Sequence, residues 1–194
     1  MKAAVIGSGI GGLATAIRLA KKGYDVTVFE KNDHAGGKMS EIRGNGFRFD
    51  TGPSLFTLPE LARELFELTG EKVDEYLPYT KLDNICTYFY EDGTRIHAYG
   101  DPQKFAAEIA EQTGEPSARV IRHLNKSKVL YELTADIFLF NSLHTIKTYL
   151  KWKVLKAVLL SFKLDALTTM YKRNASRFND PRVAQLFNRY ATYN

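Results

Sequence analysis

One stretch narrows the folds open to this chain more than any other: "KAAVIGSGIGGLATAIRLAKKGYDVTVFE", residues 2–30. A short apolar run (2–6) reads as a buried strand. Gly7-Ser8-Gly9-Ile10-Gly11-Gly12 then matches G-x-G-x-x-G, and the 3.6-residue apolar period that follows reads as a helix ending at Gly23. "DVTVF" (25–29) is β-branched and reads as a second buried strand. Strand, glycine turn, helix and strand in that order make a βαβ unit with parallel strands. Each glycine in the turn has a separate task. Gly7 permits the tight turn, Gly9 lets a pyrophosphate approach the main chain, and Gly12 lets helix and strand pack closely.

The motif therefore predicts an α/β fold with a Rossmann-like dinucleotide-binding unit at its start. The helix N-terminus offers unpaired N–H groups to an anion. Glu30 stands eighteen residues past Gly12, at the end of the second strand, where a carboxylate can accept from a ribose 2′-OH and would repel a 2′-phosphate. One helix end supplies only about 0.3–1 kcal/mol per charge, against roughly 8 kcal/mol for micromolar binding. A tightly held dinucleotide needs further contacts, and Gly36, Gly37 and Lys38 are placed to supply them.

The remaining sequence divides into sheet-like and helical parts. Residues 39–50 read as a hairpin around Gly44, Asn45 and Gly46, and residues 84–99 as another around Asp92 and Gly93. Thr57 is expected to cap a helix with Glu60 as its box partner and Gly70 as its end. Asp101 and Pro102 open a helix running to Gly114, and beyond Pro116 nearly everything reads as helix, with breaks near Asn141–Ser142 and at Asn179, Asp180 and Pro181. The expected division is a dinucleotide-binding segment over 1–70 and a helix-rich region over 71–194.

Charge separates the same two parts. Residues 1–118 carry 13 Lys/Arg against 18 Asp/Glu, and residues 119–173 carry 11 against 3. That split, with no zinc-finger or RNA-recognition spacing, argues against a nucleic-acid partner. Cys86 is the single cysteine, which excludes an internal disulfide and fits a packed strand residue in a reducing cytoplasm. The glycines at 7, 9, 11 and 12 would interrupt a signal peptide's apolar core. No uncharged apolar run reaches the ~18 residues of a membrane span. Between residues 137 and 164 there is no acid, while Lys147, Lys151, Lys153, Lys156 and Lys163 alternate with Phe138, Phe140, Tyr149, Trp152 and Phe162. This segment reads either as a surface that docks reversibly on an anionic membrane or as a helical cap with a solvated basic face. His34, His97, His123 and His144 have no metal-ligand spacing, and no Ser/His/Asp set is arguable.

The combination "GSGIGGL", Glu30, "GGK" and "GFRFDTGPS" resembles the FAD-containing amine oxidase and carotenoid desaturase superfamily. "FDTGPSLFTLPEL" and the closing "LFNRYATYN" resemble the phytoene desaturase branch. The resemblance implies FAD as cofactor, with its pyrophosphate at Gly7, Ser8, Gly9, Ile10, Gly11 and Gly12 and its adenosine ribose on Glu30 and Lys31. It places Gly36, Gly37 and Lys38 along the diphosphate, and Thr51, Gly52, Pro53, Ser54 and Leu55 near the flavin. Relatives commonly carry arginine where Lys38 stands. Asp50 is expected to hold its own turn. The implied activity is removal of two hydrogens from a carotenoid-type polyene, with the flavin supplying the chemistry and no catalytic acid or base named in this chain. Amine oxidation, carotene isomerisation, or a non-catalytic module that binds a partner or membrane are the alternatives. Such enzymes are about twice as long, so the chain reads as truncated, a fragment or half of a split protein that needs its missing part. The implied location is cytoplasmic, peripheral on the inner membrane face.

Overall fold

In the computed structural model, residues 1–53, 55–141, 144, 145, 152, 154, 165 and 168–192 are described. They form two compact units, Met1–Thr80 and Lys81–Asn194.

In the first unit β1 (Lys2–Ile6) and β2 (Asp25–Phe29) pair in parallel, in register from Lys2 opposite Asp25 to Ile6 opposite Phe29. Helix α1 (Ile10–Lys21) makes the crossover. The strands were expected to be buried, and they are so only in part. Val5 packs on α1, and Ala3 and Val26 share that face, but Ile6 is 90% exposed and Phe29 57%. One helix covers one face of a two-stranded parallel sheet, and the described residues supply no second layer.

A separate antiparallel hairpin, β3 (Glu41–Gly44) and β4 (Phe47–Asp50), closes through Asn45 and Gly46, both at positive φ (51° and 82°). Two left-handed residues twist the turn to match the strands. Helix α2 (Pro59–Thr69) ends at Gly70 as the sequence implied, but its start differs. Leu58, not Thr57, occupies the N-cap, in a left-handed conformation (φ 53°) with no side-chain cap. Pro59 at the first helical position sets the entry by its fixed φ, so the Thr57–Glu60 box does not form. A single turn, α3 (Val73–Tyr76), follows.

The second unit opens with the antiparallel pair β5 (Asn84–Phe89) and β6 (Arg95–Tyr99). Asp101 caps α4 (Pro102–Thr113) by accepting from the Lys104 N–H. Helix α5 (Ser117–Phe138), α6 (Met170–Arg177), α7 (Pro181–Asn188) and a 3-10 turn (Arg189–Thr192) are further elements among the described residues. Ile96, Phe105, Ala106, Ile109, Val120, Val183 and Leu186 form the core, with Cys86 packed against it. The buried Glu115 carboxylate accepts from the N–H groups of Asn179 and Asp180, tying the break between α6 and α7 to the start of α5.

Candidate functional site

The site is built on main chain. Gly7 turns at φ 95°, and its N–H donates to the Phe29 carbonyl at 2.7 Å, locking the turn to the end of β2. Helix α1 then starts with Gly9 at the N-cap, no side-chain cap and no acid in its first turn. Its first N–H groups lack intrahelical partners and carry the positive end of the helix dipole. Gly12 is the close approach: a Cβ there would overlap the Gly7 carbonyl oxygen and lie 3.6 Å from Val5.

The second glycine loop lies directly on the first. The Gly36 N–H donates to the Ser8 carbonyl at 2.9 Å, and a Cβ on Gly37 would stand 3.0 Å from Gly9 Cα. Two bare segments can approach this closely only because neither carries a side chain at the contact. Gly52 comes next: a Cβ on it would strike the Lys38 carbonyl and lie 3.0 Å from Met39 Cα. Thr51 binds Ser40 through its N–H (2.9 Å) and its hydroxyl (2.8 Å). Three sequence segments expected to share a site are thus in contact through backbone.

Glu30 faces the first loop. Its Oε2 accepts from the Ser8 N–H at 2.7 Å and the Ser8 hydroxyl at 2.8 Å. Its Oε1 accepts from the Asn32 N–H at 2.9 Å and the Asn32 side-chain amide at 3.1 Å. The Asn32 and Ser8 donors hold its carboxyl well below the usual range, at about 2. The group is therefore a carboxylate at any physiological pH.

The other expected residues are placed less tightly. Ile10, Lys31, Lys38, Pro53 and Leu55 are exposed, and Ser54 lies outside the described residues. Asp50 pairs with Arg48 at 2.7 Å on its own strand. A cavity of about 750 Å³ is lined by Asp33, His34, Ser40, Arg48, Gly52 and Pro53 among others, and by none of the first-loop glycines. Sequence reasoning missed Asn32 as a Glu30 partner, and the Glu41–Arg43–Arg48 cluster on the hairpin. The signal for the cluster was present as E-x-R and R-x-D on strands joined by a two-residue turn. Of the basic segment, Lys147, Tyr149, Lys151, Lys153, Lys156, Phe162 and Lys163 lie outside the described residues. Phe138, Phe140 and Trp152 are exposed, and no described helix is long and apolar enough to cross a membrane.

A parallel βαβ unit, an uncapped helix start behind a glycine turn and an ionised carboxylate at the second strand's end define a dinucleotide-binding domain. Accordingly, residues 5–71 match the family model of the NAD(P)-binding Rossmann-like domain. Across the chain, the similarity is to carotenoid desaturases. The 1-hydroxycarotenoid 3,4-desaturase of Flavobacterium sp. (strain P99-3) is 49% identical over 100% of this chain and 39% of that protein. Phytoene desaturase of Phycomyces blakesleeanus is 32% identical over 97% of this chain and 32% of its own length. The 4,4'-diaponeurosporene oxygenase of Staphylococcus aureus (strain USA300) is 29% identical over 97% and 38%. The chain spans between about a third and two fifths of the length of these relatives. Among solved structures, the CLA-producing fatty acid isomerase from P. acnes matches with a TM-score of 0.36 and 21% identity, covering 83% of this chain and 44% of that one.

Proposed function

We propose that this chain supplies the adenine-dinucleotide part of an FAD-dependent desaturase acting on a carotenoid-type polyene. The observation that carries the reading is the contact of two glycine loops in front of an ionised Glu30. The pyrophosphate would lie at the start of α1, where Ile10, Gly11 and Gly12 present N–H groups. Glu30 already accepts four hydrogen bonds, as many as a carboxylate has lone-pair sites. A ribose hydroxyl would take the place of the exposed Asn32 side chain, while Ser8 keeps the carboxylate aimed at the loop. Lys38 follows the second glycine pair and would place a positive charge beside the diphosphate. When bound, the flavin would take up the two hydrogens that leave a C–C single bond as it becomes C=C, with a quinone or oxygen reoxidising it.

The relatives' names support a polyene substrate; the choice of FAD rests on the resemblance carried by the glycine motifs together with "GFRFDTGPS", since the glycine loops alone specify only a dinucleotide. A substrate of that kind dissolves in lipid, so we place the protein at the inner membrane face. Phe138, Leu139, Phe140 and Trp152, 48–71% exposed, support that placement.

The test is a graft. The matched segment of the Flavobacterium desaturase is replaced by this chain, and the purified chimera is assayed for bound flavin and for loss of two hydrogens from a 1-hydroxycarotenoid. Yellow, active protein is expected. A folded but colourless chimera overturns the cofactor assignment, and a yellow one inert on polyenes yet active on amines overturns the substrate class.

A further inference from the structure

Two cavities in the second unit share a pair of lining side chains, His123 and Arg177. The first, of about 450 Å³, is lined by polar and charged residues, Arg119, Arg122 and Lys126 from α5 with Ser176, Arg177 and Asn179 among them. The three α5 cations stand at i, i+3 and i+7, so they share one face of the helix. The second cavity, of about 490 Å³, is lined by Phe105, Leu124, Leu130, Met170 and Phe187, and also reaches Asp165 and Arg173. His123 and Arg177 line both, and the Arg177 guanidinium donates to His123 Nδ1 at 3.3 Å.

The cations lining the polar cavity outnumber the carboxylates that pair with them. Asp165 alone serves Lys126 (2.6 Å), Arg173 (2.6 Å) and Arg177 (2.8 Å). Arg119 is matched by buried Glu115 at 2.9 Å. Arg122 is exposed, with no carboxylate partner among the described residues. A phosphate group carries about −1.5 to −2 charge at pH 7 with three acceptor oxygens, and guanidinium forks engage such oxygens two at a time. A monoanionic carboxylate would leave more of the charge uncompensated. A largely apolar cavity lined by the same His123–Arg177 pair gives a hydrocarbon chain a place next to the charged group.

We propose that these two adjacent cavities together bind a phosphate-bearing amphiphile, with the phosphate on Arg122, Lys126 and Arg177 and the hydrocarbon chain among Phe105, Leu124, Leu130 and Phe187. The site lies entirely in the second unit, so it is independent of the dinucleotide reading. His123 is a built-in reporter. Burial first, then the charges of Arg177 and Lys126, hold its imidazole down at about 4. A bound dianion offsets those charges and raises it.

The experiment is calorimetric titration of the 194-residue chain with dodecyl phosphate below its micelle concentration, with inorganic phosphate, and with dodecyltrimethylammonium. Dodecyl phosphate is expected to bind at least about tenfold tighter than inorganic phosphate, the effect of burying about two methylenes, and the cationic amphiphile not to bind. Arg122→Glu, at an exposed helix position, should keep the circular dichroism spectrum and weaken dodecyl phosphate at least about tenfold. Lys128→Glu makes the same charge change outside the cavity and should stay within about twofold. The His123 imidazole resonances should report a raised pKa in the complex. Equal affinity for inorganic and dodecyl phosphate overturns the proposal, as does binding that survives Arg122→Glu or leaves His123 unmoved.

Discussion

Replacing Gly12 by alanine puts a methyl group onto the carbonyl of Gly7, while the same change one residue earlier meets nothing. A Cβ at Gly12 would overlap the Gly7 oxygen and sit 3.1 Å from its carbonyl carbon; at Gly11 no atom lies within 4 Å. The Gly7 carbonyl cannot retreat freely, because its own residue's N–H is bonded to Phe29 at 2.7 Å. Overpacking costs about 1–3 kcal/mol, and here the upper end applies because backbone meets the new atom. Removing a helical glycine returns about 0.5–1 kcal/mol. Gly12→Ala should therefore lose about 2 kcal/mol net, and Gly11→Ala should gain about 0.5. Native-state hydrogen exchange on the amides of α1 reads the difference directly. Gly12→Ala should speed exchange about 30-fold and Gly11→Ala slow it about 2-fold. Equal shifts, or shifts of the same sign, would refute the packing role assigned to Gly12.

Glu30→Gln keeps the shape of the side chain but removes the charge that strengthens its hydrogen bonds, so ADP binding by equilibrium dialysis should weaken about 10- to 100-fold. Because the carboxyl is held from 4.5 down to about 2, its stabilising hydrogen bonds are in place above about pH 4.5 and are lost as pH falls through about 2. The ADP deficit of Glu30→Gln should therefore be flat between roughly pH 5 and 8. His123 is linked in the same direction, in a higher pH window. Its folded value of about 4 lies below the ordinary 6.5, so the unfolded chain takes up the proton first. Urea midpoints followed by circular dichroism should be level above about pH 6.5 and fall toward pH 4, by about 2 kcal/mol after allowance for its remaining solvent contact. His123→Gln should abolish that slope. Ile109→Ala, at a fully buried site, should cost about 2–5 kcal/mol in the same assay, and Ile42→Ala, at a site 62% exposed, less than about 0.5.

The elements legible in the sequence are those whose signals are local. The Asn45–Gly46 turn, the Gly70 and Gly114 helix ends and the Asp101 cap each depend on a few neighbouring residues, and each stands where the pattern put it. Thr57 misled because capping residues compete: Pro59 set the first turn of α2, and the N-cap went to Leu58. The β1 and β2 strands read as buried from their composition, yet burial depends on what lies above the sheet, and α1 covers one face only.

By itself the sequence determined the order of strand, glycine turn, helix and strand, the ionisable residue that follows, and the likeness to carotenoid desaturases. Period and glycine spacing are properties of the chain alone, so they survive without coordinates. Only the tertiary structure decided that Gly37 lies on Gly9, that Ser8 and Asn32 share the Glu30 carboxylate, and that Arg119, Arg122, Lys126 and Arg177 gather around one cavity. Apart from the local Glu30–Asn32 pair and the helical spacing of Arg119, Arg122 and Lys126, those contacts join residues from 22 to 58 positions apart in the chain. No local propensity encodes such pairings; they arise when packing brings separate segments together and leaves their charges and bare backbone to find partners.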